Sequence, residues 1–168
     1  DQFFNRFAMM ARFSPAIPMV GADTRFQPVY VDDVAEAACT AATTDAVGIY
    51  ELGGPQTYAF RDLMKLMLAE IRRKRLLLAL PFGIAGIMAW GLDLVGKISL
   101  GLLPNRQITA DQIKLLRMNN VVSEGAKTLA ELGVDARAVE GVLGEYLYSY
   151  RPYGQYDAIT ESAAKLKA

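Results

Sequence analysis

Apolar positions recur at helical spacing along several stretches of the chain. Phe3, Phe4, Phe7, Met10 and Ala11 make one apolar face, which Ser14-Pro15 and then Pro18 bring to an end. Leu63, Met64, Met67, Leu68 and Ile71 make a second, closing on the basic run Arg72, Arg73, Lys74, Arg75. Val139, Val142, Leu143, Tyr146, Leu147 and Tyr150 stripe a last helix that Pro152 stops. Between them the pattern predicts strands. Phe26 to Val31 is β-favouring with a Pro at 28 that cannot donate to a ladder, which suits an edge or a strand end. GIYELGG, residues 48–54, alternates and ends in Gly-Gly-Pro, and LLLAL, residues 76–80, is a short apolar strand ahead of a helix that starts at Pro81.

Two acids stand where the strand of RFQPVYVDDVAEAACTAA runs into a helix reaching about Thr43. Asp32 or Asp33 fits a helix N-cap, accepting from free amides at the positive end of the dipole. A metal or acid/base pair is the alternative reading, but no further acid is placed nearby in sequence. Val34, Ala35, Ala38 and Ala41 make a small-residue face suited to lying close on a sheet. Further on, Thr109 and Gln112 have capping-box spacing, Ile108 and Ile113 occupy the hydrophobic-staple positions, and Ser123 is read as the cap of a helix ending at Gly133.

Residues 76–92 carry no charge. The run is just short of a membrane span and is broken by Pro81, Gly83, Gly86 and Gly91, which leaves a buried helix, an exposed apolar surface for a partner or membrane interface, or a span, in that order. The four bases before it read as the solvated end of a helix, with a phosphate or anionic-lipid site as the sharper alternative.

Composition narrows the chemistry. The chain has 168 residues, balanced charge (Lys+Arg 18, Asp+Glu 18) and no histidine. Balanced charge leaves no electrostatic footprint for nucleic acid. Without histidine, Ser/His and Cys/His nucleophilic pairs cannot form within the chain. The lone Cys39 reads as a small buried hydrophobe, and no metal site and no catalytic residue is identified. DQFFNRFAMMARF lacks the basic start and cleavage site of a signal peptide, and it opens inside helical pattern without a start Met, so the expectation is a fragment whose upstream part is missing.

RFQPVYVDDVAEA, then YELGGP, then a helix and basic turn leading to LPF, resembles the C-terminal half of extended and atypical short-chain dehydrogenase/reductases. With NNVVSEGAKTLAELGV and the closing YRPYGQY, the chain looks like the dehydrogenase-like accessory subunits of respiratory complex I, in their bacterial form. The resemblance covers nearly all of residues 1–156. It implies an α/β class, α+β as a fragment: the C-terminal portion of a Rossmann-type NAD(P)-binding fold with a mostly helical smaller lobe, followed by a polar tail at 157–168. The family's glycine-rich G-x-G-x-x-G turn and its Tyr-x-x-x-Lys pair are both absent from this chain. No cofactor-binding residue is therefore assigned here, and NAD(P)H is expected only of the full-length parent.

Sugar-nucleotide members of the superfamily place a phosphate-binding Arg seven residues before the helix-start Asp. Counting back from Asp33 reaches Phe26, with Arg25 one step further, and a one-residue step on a strand turns a side chain to the other face. Arg25 and Gln27 are retained as substrate-binding candidates, with a solvated charge as the plain alternative for Arg25. Two functions follow from the resemblance. The first is a structural, partner-docking part of a complex I associated protein, its partners being complex I subunits or its own N-terminal half, with membrane-surface contact through Pro81 to Leu103. The second is the substrate-binding portion of an NAD(P)-dependent oxidoreductase or nucleotide-sugar epimerase. The implied location is cytoplasmic, peripheral at the cytoplasmic face of the inner membrane, and self-association of the fragment is expected because its sheet edges would be unpaired.

Overall fold

The computed structural model describes residues 2–87 and 114–156. Helix α1 (Gln2–Phe13) buries Phe4, Ala8 and Ala11, the face its periodicity predicts. Strand β1 (Ala16–Val20) follows at once and pairs in parallel with β4 (Leu76–Leu80), in register from Ala16↔Leu76 to Val20↔Leu80. A parallel pair needs a long crossover, and this one holds β2 (Arg25–Phe26), α2 (Val31–Thr43), β3 (Tyr58–Ala59) and α3 (Phe60–Glu70). β2 and β3 form a two-residue antiparallel pair. A helical turn at 82–87 leads out of β4, and the last part of the chain folds as a 3-10 turn (Ala130–Leu132), α4 (Val139–Leu147) and the 3-10 turn Tyr148–Tyr150.

The main core lies where α1, α3 and α4 meet one face of the parallel pair. Ile17, Leu63, Met64, Met67, Ile71, Leu143 and Leu147 are fully buried there, each worth roughly 1.5–3 kcal/mol of transfer free energy. Phe60 seats an aromatic cluster, with ring centroids 5.5 Å from Phe7, 5.7 Å from Phe3 and 5.9 Å from Phe26. A separate small core of Ala37, Leu129 and Val134, with Val29 and Leu52, holds α2 to the 3-10 turn. The start of α3 has no side-chain cap. Instead the amides of Phe60 and Arg61 donate to the carbonyls of Thr24 and Ala22, both at 2.9 Å, so the loop after β1 satisfies the orphan donors of a distant helix. At the other end, Arg73 N–H bonds Leu68 O and Arg72 N–H bonds Ala69 O, a Schellman closure with Arg72 in the left-handed position at φ 52°.

Several expectations are corrected. β1 was not anticipated, because Pro15 and Pro18 read only as a helix stop. Pro18 is tolerated since, among the described residues, β1 has a partner on one side alone. The strand expected over Phe26 to Val31 shrinks to β2, because Val31 already opens α2 and the intervening residues turn the chain. GIYELGG contributes a single bridge, Tyr50 to Lys127. Ser123 caps nothing: its amide donates to Glu51 Oε2 at 2.7 Å, while Thr128 and Glu131 cap the 3-10 turn that ends at Gly133. The capping box at Thr109, the staple at Ile108 and Ile113, the apolar run beyond Ile87 and the tail from 157 lie outside the described residues. Within them, Ile84 (51%) and Ile87 (73%) are exposed while Ala85 is buried against Val20, so the described portion of the run buries one side only. No helix of the described residues is long and apolar enough to cross a membrane.

Candidate functional site

The double Asp resolves into two different roles. The N-cap of α2 is Tyr30, without a side-chain hydrogen bond, and both acids sit inside the first turn. Asp33 is buried, accepts the backbone N–H of Arg137 at 2.7 Å through Oδ2, and places Oδ1 3.4 Å from Arg137 Nε. Arg137 in turn lies over the Tyr30 ring at 5.0 Å. Asp32 is exposed, and its hydrogen bond to Tyr30 holds that phenol above its ordinary pKa. The expected capping reading is therefore wrong for both, since the tertiary partner of Asp33 lies far along the chain. The metal alternative finds no support either: the described residues hold no cluster of three or more metal-ligating side chains.

Arg25 and Gln27 come together with the Gly-Gly turn and residues 119–122. The Arg25 amide donates to Asn119 Oδ1 at 2.9 Å and its carbonyl accepts from Asn120 N–H at 2.8 Å, while the guanidinium side is exposed. Gln27 is a bridge: Nε2 donates to Gly54 O at 2.7 Å, Oε1 accepts Val122 N–H at 3.0 Å, and its amide donates to Asn120 O at 3.0 Å. Gly54 must be glycine, because a Cβ there would stand 1.9 Å from Pro28 O. Both polar atoms of the Gln27 side chain are thus engaged with backbone, which leaves Arg25 as the member of the pair whose charge faces solvent.

A cleft of about 470 Å³ opens at the carboxyl ends of β1 and β4, and Arg25 and Gln27 are not among its described lining residues. It is lined by the turn Gly21 to Thr24, by Leu80 and Phe82, and by Arg117 and Asn119. Gly21 makes the turn possible: its φ is 69°, and a Cβ would stand 2.6 Å from Thr24 Oγ1. The Arg117 guanidinium lies 5.3 Å over the Phe82 ring, a cation stacked on an apolar platform. Asp23 pairs with Arg61 at 3.5 Å in the open. The edge of parallel strands where their carboxyl ends point is where ligands of open α/β sheets bind. The arrangement suits holding a planar or anionic group, and among the described lining residues the ionisable groups are Asp23 and Arg117. Sequence reasoning missed this cleft. The available signal was the Gly-Ala-Asp-Thr turn directly after an apolar pentapeptide, which went unused because β1 was not anticipated.

No family model matches the chain. Over 159 residues it is 33% identical to NADH dehydrogenase (ubiquinone) 1 alpha subcomplex subunit 9, mitochondrial, of Arabidopsis thaliana, a match that covers 92% of this chain and 40% of that protein. It is 27% identical over 139 residues to the NADH-ubiquinone oxidoreductase 40 kDa subunit, mitochondrial, of Neurospora crassa, covering 82% of this chain and 35% of the relative. The crystal structure of gox2253 superposes with a TM-score of 0.57 at 21% identity, covering 89% of this chain and 44% of that one, which speaks to the fold alone. Mixed α/β layers with a parallel strand pair fit part of a Rossmann-like fold, as expected. The chain is thus similar over most of its own length to two subunits named as NADH dehydrogenase (ubiquinone) and NADH-ubiquinone oxidoreductase components, and it spans 40% and 35% of their lengths.

Proposed function

We propose that this chain is the C-terminal, partner-docking part of a complex I accessory protein, with residues 1–156 as the lobe, 157–168 as a polar tail, and no independent catalysis. The observation that carries this reading is the match to two complex I subunits across 92% and 82% of the chain. Its first partner is then its own N-terminal half, a Rossmann domain holding NAD(P)H on a glycine turn of its own. Parallel strands are ordinarily covered on both faces, yet Pro18, Leu76 and Leu78 lie exposed on the face of the β1–β4 pair turned away from the core. Such a surface fits a neighbour of the same sheet. Complex I subunits are the second partners, meeting the apolar stretch Pro81 to Leu103 at the membrane surface. In a bacterial host this places the protein at the cytoplasmic face of the inner membrane; the relatives are mitochondrial by name.

Affinity purification of the tagged full-length protein from mildly solubilised membranes tests the reading. Co-elution of NADH:ubiquinone oxidoreductase activity, lost when the segment matching residues 1–156 is removed, is the expected result. Elution of the protein alone ends the proposal.

The cleft at the carboxyl ends of β1 and β4 favours a second reading, in which the lobe supplies the substrate-side wall of an NAD(P)-dependent oxidoreductase or epimerase through Arg117, with the expected Arg25 and Gln27 outside the described lining and Gln27 supporting it through backbone bonds. Calorimetric titration of NADH and NADPH into the chain and into the full-length protein separates the cofactor question from this one. Binding by the full-length protein alone supports the missing-half reading, whereas binding by this chain contradicts the assignment of the cofactor elsewhere.

A further inference from the structure

A second cleft, of about 670 Å³, lies between the end of α3 and the start of β4, away from the site described above. Its lining joins Lys65, Arg72, Arg73, Lys74 and Arg75 to Leu68, Ala69 and Leu77, with no acidic side chain among the described lining residues. Of the acids on α3, Asp62 pairs with Lys65 of the cleft itself at 2.8 Å, an exposed contact that solvent screens, and Glu70 pairs with Arg151. Two of the bases have structural work, since Arg73 Nε donates to Tyr150 O at 2.9 Å and Arg75 Nε to Ala11 O at 2.7 Å. Those bonds fix the two guanidinium groups at the cleft. The basic run complements the helix dipole, and within it Arg72 and Lys74 are exposed. Arg72 also holds the left-handed C-terminal position where glycine is usual, a conformation that side chains other than Gly seldom adopt. A concave surface lined by one sign of charge over a low-dielectric apolar floor focuses its field on a ligand of the opposite sign.

We propose that this cleft binds a phosphate-bearing amphiphile, with the phosphate held by the basic rim of Lys65, Arg72 and Lys74 and the apolar part laid against Leu68 and Leu77. Phosphate chemistry is shared by an anionic phospholipid headgroup and a soluble phosphate ester, and the experiment distinguishes them.

The 168-residue chain is mixed with phosphatidylcholine vesicles with and without phosphatidylglycerol, and separately titrated with inorganic phosphate while backbone amides of residues 65–77 are followed by NMR. Co-sedimentation only with the anionic vesicles assigns a lipid source; amide shifts with phosphate and no vesicle binding assign a soluble one. In either case the double charge reversal Lys65→Glu, Lys74→Glu is expected to weaken binding about tenfold or more, with added salt acting in the same direction. The neutral pair Lys65→Gln, Lys74→Gln serves if the reversal fails to fold, and is expected to give a smaller loss. Absence of binding to both probes, or binding that neither double variant weakens, overturns the proposal.

Discussion

Asp33 and Arg137 stand 104 residues apart in the chain and meet at 2.7 Å, the buried carboxylate accepting the backbone amide. That bond pins the start of α2 to the segment leading into α4. Asp33→Ala removes a charged acceptor and strands the amide, so a loss of about 2 kcal/mol is expected in urea denaturation. Asp33→Asn keeps an acceptor and should cost less. Equal stability of the alanine variant and the native chain would deny the bond any role.

Gln27 ties three separated segments through one side chain. Gln27→Ala leaves Gly54 O and Val122 N–H without their partners, at a cost of about 1–3 kcal/mol. Gln27→Glu keeps the acceptor for Val122 but sets a carboxylate against the Gly54 carbonyl. Hydrogen exchange at Val122 is expected to quicken strongly in the first variant and weakly in the second.

The two kinds of glycine separate cleanly by substitution. Gly54→Ala drives a Cβ into the Pro28 carbonyl and is expected to cost on the order of 3 kcal/mol or more, because backbone and not a flexible side chain must move. Gly141→Ala, on α4 with open space around the new methyl, should stabilise by about 0.5–1 kcal/mol. Thermal unfolding of both gives the comparison.

Besides Tyr30, two phenols ionise late. Tyr58 is pushed up to about 12 by desolvation and by its hydrogen bond to Glu140 at 2.7 Å, and Tyr146 to about 12 by burial. The folded chain therefore holds these protons more tightly than the unfolded chain, whose phenols titrate near 10. The stability this contributes is complete below pH 10 and is lost as pH rises toward about 12. Denaturation midpoints that stay level across that window would contradict it, and Tyr58→Phe should flatten the fall.

The exposed face of the parallel pair predicts self-association. Leu76 and Leu78 are 62% and 42% exposed on a strand beside Pro18. Light scattering should show mass rising with concentration, and Leu78→Lys should reduce it. A chain monomeric at high concentration would rule this out.

α3 was legible because its information is local: Leu63, Met64, Met67 and Leu68 repeat at 3.6 and are buried as that period requires. On α2, by contrast, the expected face of Val34, Ala35, Ala38 and Ala41 gives way to Asp33 and Ala37 as the buried positions, and Cys39, expected buried, is exposed. β4 was legible from an apolar run bounded by charge and proline. β1 was not, since Pro15 and Pro18 argue against a strand unless the pairing partner is known, and that partner is β4. Asp33 illustrates the same limit at the level of a side chain. Its sequence context offers a helix start, and only folding supplies Arg137. The cleft at the ends of β1 and β4 inherits both difficulties, for it draws Arg117 and Asn119 from a segment with no local link to Gly21.

The parallel register of β1 with β4 has a consequence for synthesis. Ala16 cannot meet Leu76 until about sixty more residues have been made, which at roughly 5–20 residues per second is several seconds. For that interval β1 leaves the ribosome without its ladder, carrying Ile17, Met19 and Val20 that the finished fold buries. α1 can form and partly shield them, but the helix that completes the cover, α4, is translated later still. Slowing translation between β1 and β4 would therefore lengthen the time for which β1 lacks this partner strand.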